Sequence, residues 1–396
     1  MVVNSPLPDP DPDALQRSRR LSSLIRSEIL KAGGAIGFDR YMQLALYEPS
    51  LGYYTGSSSI FGPGGDFITA PESGELFARC LARQCIQILD AIGGSIVEYG
   101  GGSGRLACSL LQILEQQDAL PASYVIVEPS PRMRCRQETL LRDNVPACFE
   151  RVRWSDKHAP LETDGIVIAN EVLDAMPAKR FIVVDGSIRE LGVGLNAQSF
   201  CWTVLDSVAL EVTGIERQRN GKVLLPDNFI SEFNPALKAW FTDLSSVLRR
   251  AVVILIDYGY PRHEYFHPSR SSGTLKCHFQ HRVHDDPFLY PGAQDITVAI
   301  DFTLVAELAV DAGLRVAGFT TQTRFLLACG MDQFVEASAE RDDAGQLKLA
   351  QEAKRLLLPS AMGQTCKAMA LAADYSENLI GFAADERYRL SGFAGS

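Results

Sequence analysis

The run Glu98-Tyr99-Gly100-Gly101-Gly102-Ser103-Gly104-Arg105 limits the fold of this chain more than any other segment. A short apolar stretch, SIVEY over 95–99, leads into it, and a segment with Leu106, Leu110, Ile113 and Leu114 on one helical stripe leads out. Strand, glycine turn and helix in that order make an α/β unit. Glycine reaches backbone conformations closed to other residues and lets the chain approach a ligand closely, and the helix beyond presents unpaired N–H groups. The dinucleotide pattern G-x-G-x-x-G fails, because counting from Gly100 puts Arg105 last and counting from Gly102 gives no second match. What fits is acidic-x-G-x-G-x-G, with Glu98 as the acid. No Lys follows the glycines, as a phosphate loop would require. The competing reading is a glycine-rich turn with no ligand.

Alternating elements extend from this unit. The spacing predicts strands over 95–99, 124–128, near 151–154, 165–169, 251–257 and 314–319, with helices over 104–116, 130–142 and 301–312. Strand, helix and strand at this spacing imply a parallel sheet with right-handed crossovers. The unbroken apolar run AVVILID (251–257) reads as a strand covered on both faces. Upstream, Asp13 is a candidate N-cap for a helix with Leu21, Leu24, Ile25 and Ile29 on one face, closing at Gly33-Gly34, and Ser73 opens another through Phe77, Leu81, Cys85 and Ile88. Between Tyr41 and Gly65 the Tyr, Gly and Ser content reads as an irregular loop. Asp185-Gly186 between β-rich runs is a type I′ hairpin signal, so 180–205 is expected to be an antiparallel insertion. Residues 206–249 read as polar and helical, and 341–358 and 364–373 as closing helices. The expected class is therefore α/β: a Rossmann-like sheet with helices on both faces, an N-terminal helical segment, a β-hairpin insertion and C-terminal helices. The expected divisions are a Pro/Asp-rich tail (1–12) too polar to fold, a segment over the cofactor site (13–92), a core (93–330) with insertions at about 180–249 and 260–300, and a helical segment (331–396).

Composition excludes several classes. With 46% apolar and 22% charged residues among 396, the chain is neither collagenous nor disordered. A net charge of −10 argues against a general nucleic-acid binder. No apolar run approaches the ~18 residues of a membrane span. Nine cysteines without a CxxC pair, several among apolar residues, read as reduced core thiols. The N-terminus, with Asp9, Asp11 and Asp13 among prolines, resembles neither a secretory leader nor an acid-poor transit peptide. The expected location is a bacterial-type cytoplasm, with no support for a mitochondrial matrix.

Glu128 ends the second strand, near the offset at which an acid binds ribose hydroxyls; a helix-start carboxylate favoured by the dipole is the alternative. Trp154-Ser155-Asp156 follows the third strand, where such folds meet adenine, and a surface turn is the alternative. The fourth strand runs into Asn170-Glu171-Val172-Leu173-Asp174, at the sheet edge where open α/β folds bind ligands. Glu171 and Asp174 are candidates to hold a guanidinium and Asn170 to orient its nitrogen; alternatively Asn170 caps a helix and the acids decorate its first turn. His278, His281 and His284 beside Cys277 suit neither one helical face nor a paired zinc site, so no metal is assigned.

These motifs together resemble the MidA family, class I S-adenosylmethionine (SAM) methyltransferases that include a mitochondrial protein-arginine methyltransferase needed for assembly of respiratory complex I. The resemblance spans roughly 35–372 and rests on Tyr47-Glu48-Pro49, Gly52-Tyr53-Tyr54, Phe67-Ile68-Thr69-Ala70-Pro71-Glu72, Val127-Glu128-Pro129-Ser130, Asn170 through Pro177, Asp257-Tyr258-Gly259, Asp295-Ile296-Thr297 and Leu358-Pro359. Gly101 and Ala70 depart from it, standing where the family often has Pro and usually Ser. The resemblance implies that Glu98, Gly100, Gly102, Gly104 and Glu128, with Ser130 and Asp156, hold SAM, and that Thr69, Pro71 and Glu72 help close the pocket. With Asn170, Glu171 and Asp174 as the acceptor set read from the sheet edge, it points to a protein arginine on a partner such as a complex I subunit; charge and hydropathy leave no expectation of nucleic acid or membrane insertion. A SAM-binding assembly factor without turnover is the alternative of another class; a nicotinamide-dependent oxidoreductase is disfavoured by the failed fingerprint.

Overall fold

The computed structural model describes residues 7–56, 69–156, 164–197, 199–205, 215, 224–337, 343–358 and 362–390. Residues 1–6, the 57–65 part of the Tyr/Gly/Ser stretch, Phe67-Ile68, most of 206–223 and Pro359 lie outside them. The chain forms two compact units: 1–67, 174–237 and 260–304 in one, 68–173, 238–259 and 305–396 in the other.

The second unit carries the glycine run. Its strands lie in the order Arg315–Thr321, Cys366–Ala373, Ala251–Tyr260, Gly165–Asn170, Ser95–Tyr99, Tyr124–Val127, Val152–Ser155. The last five pair in parallel, and Cys366–Ala373 is antiparallel to both its neighbours. Val252 through Ile256 are all fully buried, as expected of a strand covered on both faces. The order reverses at Ser95–Tyr99: the next strand in sequence lies on one side and Gly165–Asn170 on the other. The loops leaving these two strands must diverge, which opens a crevice at their carboxyl ends. Helices Leu76–Ile92 and Arg105–Gln116 bury Phe77, Leu81, Cys85, Ile88, Leu110 and Leu114 in the same core as Ile96, Ile166 and Ile254.

Residues 366–373 are a strand, where Ala-rich composition suggests a helix. The segment Cys-Lys-Ala-Met-Ala-Leu-Ala-Ala alternates small and large residues, and Ala368, Ala370 and Ala372 enter the core shared with Phe325 and Leu326. Burial on both faces between two hydrogen-bonding neighbours outweighs the helical preference of alanine.

In the first unit, helix Pro12–Lys31 is capped by Asp11, whose carboxylate accepts from Ala14 N at 2.8 Å, rather than by Asp13. The expected tail is correspondingly shorter, since Asp9 accepts from the Tyr290 hydroxyl at 3.3 Å. The expected loop from Tyr41 is helical over Phe38–Tyr47 and Tyr53–Gly56, because Tyr41, Met42, Leu44 and Tyr53 are buried in this unit's own core. The hairpin is as expected: Lys179–Val184 and Ser187–Asn196 pair antiparallel, with Asp185 and Gly186 at φ 52° and 74°. Part of the expected 206–249 helix is instead the strand Ile230–Phe233, with a helix over Ala236–Val247. Strands Lys276–Phe279 and Arg282–His284 form a second hairpin with His281 in its turn; burial pushes His278 down to about 4. Among the described residues no helix is long and apolar enough to cross a membrane.

Candidate functional site

Gly100, Gly102 and Gly104 have φ of 64°, 50° and 87°, left-handed conformations that side chains resist. Between them the chain leaves the Ser95–Tyr99 strand, folds back with Gly104 N donating to Gly101 O at 2.8 Å, and enters the helix at Arg105. A Cβ on Gly101 would lie 2.6 Å from Ile126 Cγ2, and one on Gly100 would lie 3.0 Å from Val172 Cγ2. The turn is therefore a cradle whose walls a side chain would occupy.

Glu98 precedes it on the strand, 3% exposed, accepting from the Tyr124 hydroxyl at 2.8 Å. Burial pushes its carboxyl up to about 7; the Tyr124 donor works against this and the nearby Glu128 adds to it. Glu128, at the end of the adjacent strand, is buried too. Its Oε1 accepts from Ser130 N at 2.9 Å and its Oε2 from Gln137 Nε2 at 3.3 Å. Ser130 is the N-cap of helix Pro131–Asn144, so its hydroxyl serves that helix. Asp156 is exposed at the carboxyl end of the outermost strand.

Thr69 through Ser73 form a turn in which Thr69 O accepts from Glu72 N and from Ser73 Oγ. It brings the Glu72 carboxylate against Ser103 Oγ and within 3.6 Å of Arg105 Nε. Of Thr69, Pro71 and Glu72, it is Glu72 whose side chain meets the glycine turn.

Asn170 ends its strand one position beyond the Ala169–Tyr99 pair, level with Gly100. No helix follows, so the helix-cap reading does not hold. Glu171 has φ 53°, a left-handed conformation for a residue with a side chain. It is held by its N–H to Ile256 O at 2.8 Å, and the next two amides, Val172 and Leu173, donate to Asp257 Oδ2 at 3.2 and 2.8 Å. Asp257, fully buried, is an anchor that the residue pattern alone does not reveal. Ala70 N and Asn170 Nδ2 approach Glu171 Oε1 at 3.5 and 3.4 Å. Asn170 Oδ1 is buried and, among the described residues, has no hydrogen-bond partner. Asp174 belongs to the first unit, where its carbonyl accepts from Val298 N; burial and Asp295 raise the Tyr54 hydroxyl pKa there, and Asp174 adds to the effect.

Two carboxylates and a glycine cradle without a lysine fit a ligand that carries positive charge and hydroxyls but no phosphate. SAM has a sulfonium, an ammonium and a ribose, and the donor set suits it.

Residues 80–320 match the family described as "Putative S-adenosyl-L-methionine-dependent methyltransferase". A Burkholderia thailandensis protein, crystallised with S-adenosyl-homocysteine bound, is 37% identical over 96% of this chain and 99% of its own, with a TM-score of 0.89. The mitochondrial protein arginine methyltransferase NDUFAF7 of Danio rerio is 26% identical over 89% of each chain, and the Drosophila melanogaster homologue 28% identical over 74% of this chain and 70% of its own. With its glycine motif, its sheet order and these matches, the chain belongs to the MidA-like family of SAM-dependent methyltransferases.

Proposed function

We propose that this methyltransferase acts on a protein side chain, that the side chain is arginine, and that a respiratory complex subunit is the candidate partner the family resemblance supplies. The observation that carries the proposal is Asn170 Oδ1, buried and without a hydrogen-bond partner among the described residues, on a side chain whose Nδ2 approaches the Glu171 carboxylate at 3.4 Å next to the glycine cradle. A guanidinium is a donor-only fork, and an amide oxygen and a carboxylate are the acceptors it needs. The names of the animal relatives point the same way. Glu98, Gly100, Gly102, Gly104 and Glu128 are proposed to hold SAM, with Thr69, Pro71 and Glu72 at its edge. Nine free thiols, seven of them buried, support a reducing compartment, and we assign the cytoplasm.

The cofactor supplies an electrophilic methyl on a leaving group that needs no protonation. This chain's residues therefore have to align the acceptor rather than perform acid–base chemistry. Glu171 localises the guanidinium charge so that one nitrogen presents its lone pair. Asn170 Oδ1 accepts an N–H and sets the angle of approach. As the N–C bond forms, the nitrogen's proton leaves to solvent or a carboxylate.

Glu171→Gln keeps size and hydrogen-bonding atoms and removes the charge. SAM affinity is expected to stay normal while radiolabelled methyl incorporation into a candidate partner falls by ~10²-fold, the scale of lost electrostatic preorganisation. Normal incorporation with a small drop in melting temperature would refute the role. SAM binding by the unaltered protein without transfer to any protein would favour the assembly-factor reading.

A further inference from the structure

Helix Pro131–Asn144 buries Met133, Gln137 and Leu141 on one stripe, so an amide stands where an apolar side chain is expected. Gln137 is 0% exposed. An amide buried that deeply is costly unless its groups are paired, and two of its three partners here, Gly102 and Glu128, belong to the proposed cofactor site. Nε2 donates to Gly102 O at 2.9 Å and to Glu128 Oε2 at 3.3 Å, and Oε1 accepts from Trp154 Nε1 at 2.9 Å. The orientation of the amide follows from partner chemistry, since an indole only donates while a carbonyl and a carboxylate only accept. The backbone beneath is equally close: a Cβ on Gly104 would lie 3.2 Å from Gln137 Cα.

We infer that Gln137 is a positioning residue of the cofactor site, one amide that sets the glycine turn, the Glu128 carboxylate and the Trp154 strand end relative to each other. The inference rests on the reading of Glu128 and the glycine turn as the SAM pocket. Gln137 acts through Glu128: with one oxygen held by Ser130 N and the other by Gln137, the carboxylate is fixed in plane, and each oxygen keeps a lone pair for vicinal hydroxyls. Loss of the Gln137 donor frees the carboxylate to rotate and leaves the Gly102 carbonyl and the Trp154 indole unpaired.

Calorimetry on the full chain tests this with SAM and with adenosine, which lacks the methionine end. Gln137→Met should weaken both ligands about 10-fold, the scale of one charge-assisted hydrogen bond, and should add little in a Glu128→Ala background. Gln137→Glu keeps the shape but sets two carboxylates against each other; they share a proton as a coupled pair. Adenosine affinity in that variant should then fall at least 5-fold from pH 5.5 to 8 relative to the unaltered protein. Equal weakening in both backgrounds without the new pH dependence would overturn the inference in favour of a purely structural amide. Normal affinity in both Gln137 variants, with Glu128→Ala impaired, would also overturn it while leaving the pocket intact. An unaffected Glu128→Ala would instead remove the pocket reading beneath it. Should Gln137→Met fail to fold, the near-isosteric Gln137→Glu carries the decision.

Discussion

Glu98 shows how burial turns a single carboxyl into a pH-sensitive part of the proposed cofactor site. Its ordinary value is 4.5 and burial raises it to about 7 in the folded chain. Between those values the folded state holds a proton that the unfolded chain releases, so stability from this group falls as pH rises through the window and is lowest above 7. The difference is on the order of 3 kcal/mol. Glu98→Gln, whose amide oxygen still accepts from Tyr124, should flatten the fall in stability between pH 5 and 8 measured by urea unfolding; an unchanged slope would show that the carboxyl titrates normally. A cationic ligand favours the ionised form, so SAM affinity should rise with pH through 7 in the unaltered protein. The residue pattern already marks Glu98 and Glu128 as acids at strand ends. It gives no role to Tyr124, Gln137 or Asp257, because their roles depend on which elements meet them; Gln137 leaves a trace as a polar break in an apolar stripe, and Asp257 as part of a family motif.

Helix boundaries separate what is local from what is not. Helix Pro131–Asn144 has its cap in the adjoining residue, Ser130 before Pro131, and is legible at once. Helix Leu76–Ile92 has no side-chain cap of its own. The Glu352 carboxylate, from helix Asp343–Leu357, accepts from Leu76 N at 2.6 Å, and burial raises its pKa against the backbone donors that lower it. A cap supplied 276 residues away leaves no nearby signal, which is why Ser73 looks like the start. Glu352→Ala should lower stability by about 1 kcal/mol, with Glu352→Gln retaining most of it. Thermal melts of the two variants check this, and equal melting temperatures would show that the cap contributes nothing. Strand Cys366–Ala373 carries the same lesson, since its alternation of small and large residues becomes decisive only between Ala251–Tyr260 and Arg315–Thr321.

For the whole molecule, SAM binds the folded chain and not the unfolded one. At 100-fold excess over Kd it should stabilise the unit that carries the glycine turn by about 2.7 kcal/mol, a shift of about 5 to 10 °C for a unit of that size. A calorimetric scan with SAM, with S-adenosyl-homocysteine and with NAD checks this; a shift with NAD in place of SAM would return the oxidoreductase reading. The amino-acid sequence by itself determined the α/β class, the strand–glycine–helix cradle, the hairpin at Asp185-Gly186 and the acids at strand ends. Each of these is carried by the order and spacing of residues along the chain: hydropathy period, glycine at a turn, an acid at a fixed offset. Only the tertiary structure decided that 366–373 is a strand between two others, that the turn after Asn170 is held in a left-handed bend by Asp257, and that a buried glutamine bonds Gly102, Glu128 and Trp154 at once. Those outcomes depend on partners far apart in the chain, and long-range packing outweighs local preference wherever a segment is buried on every side.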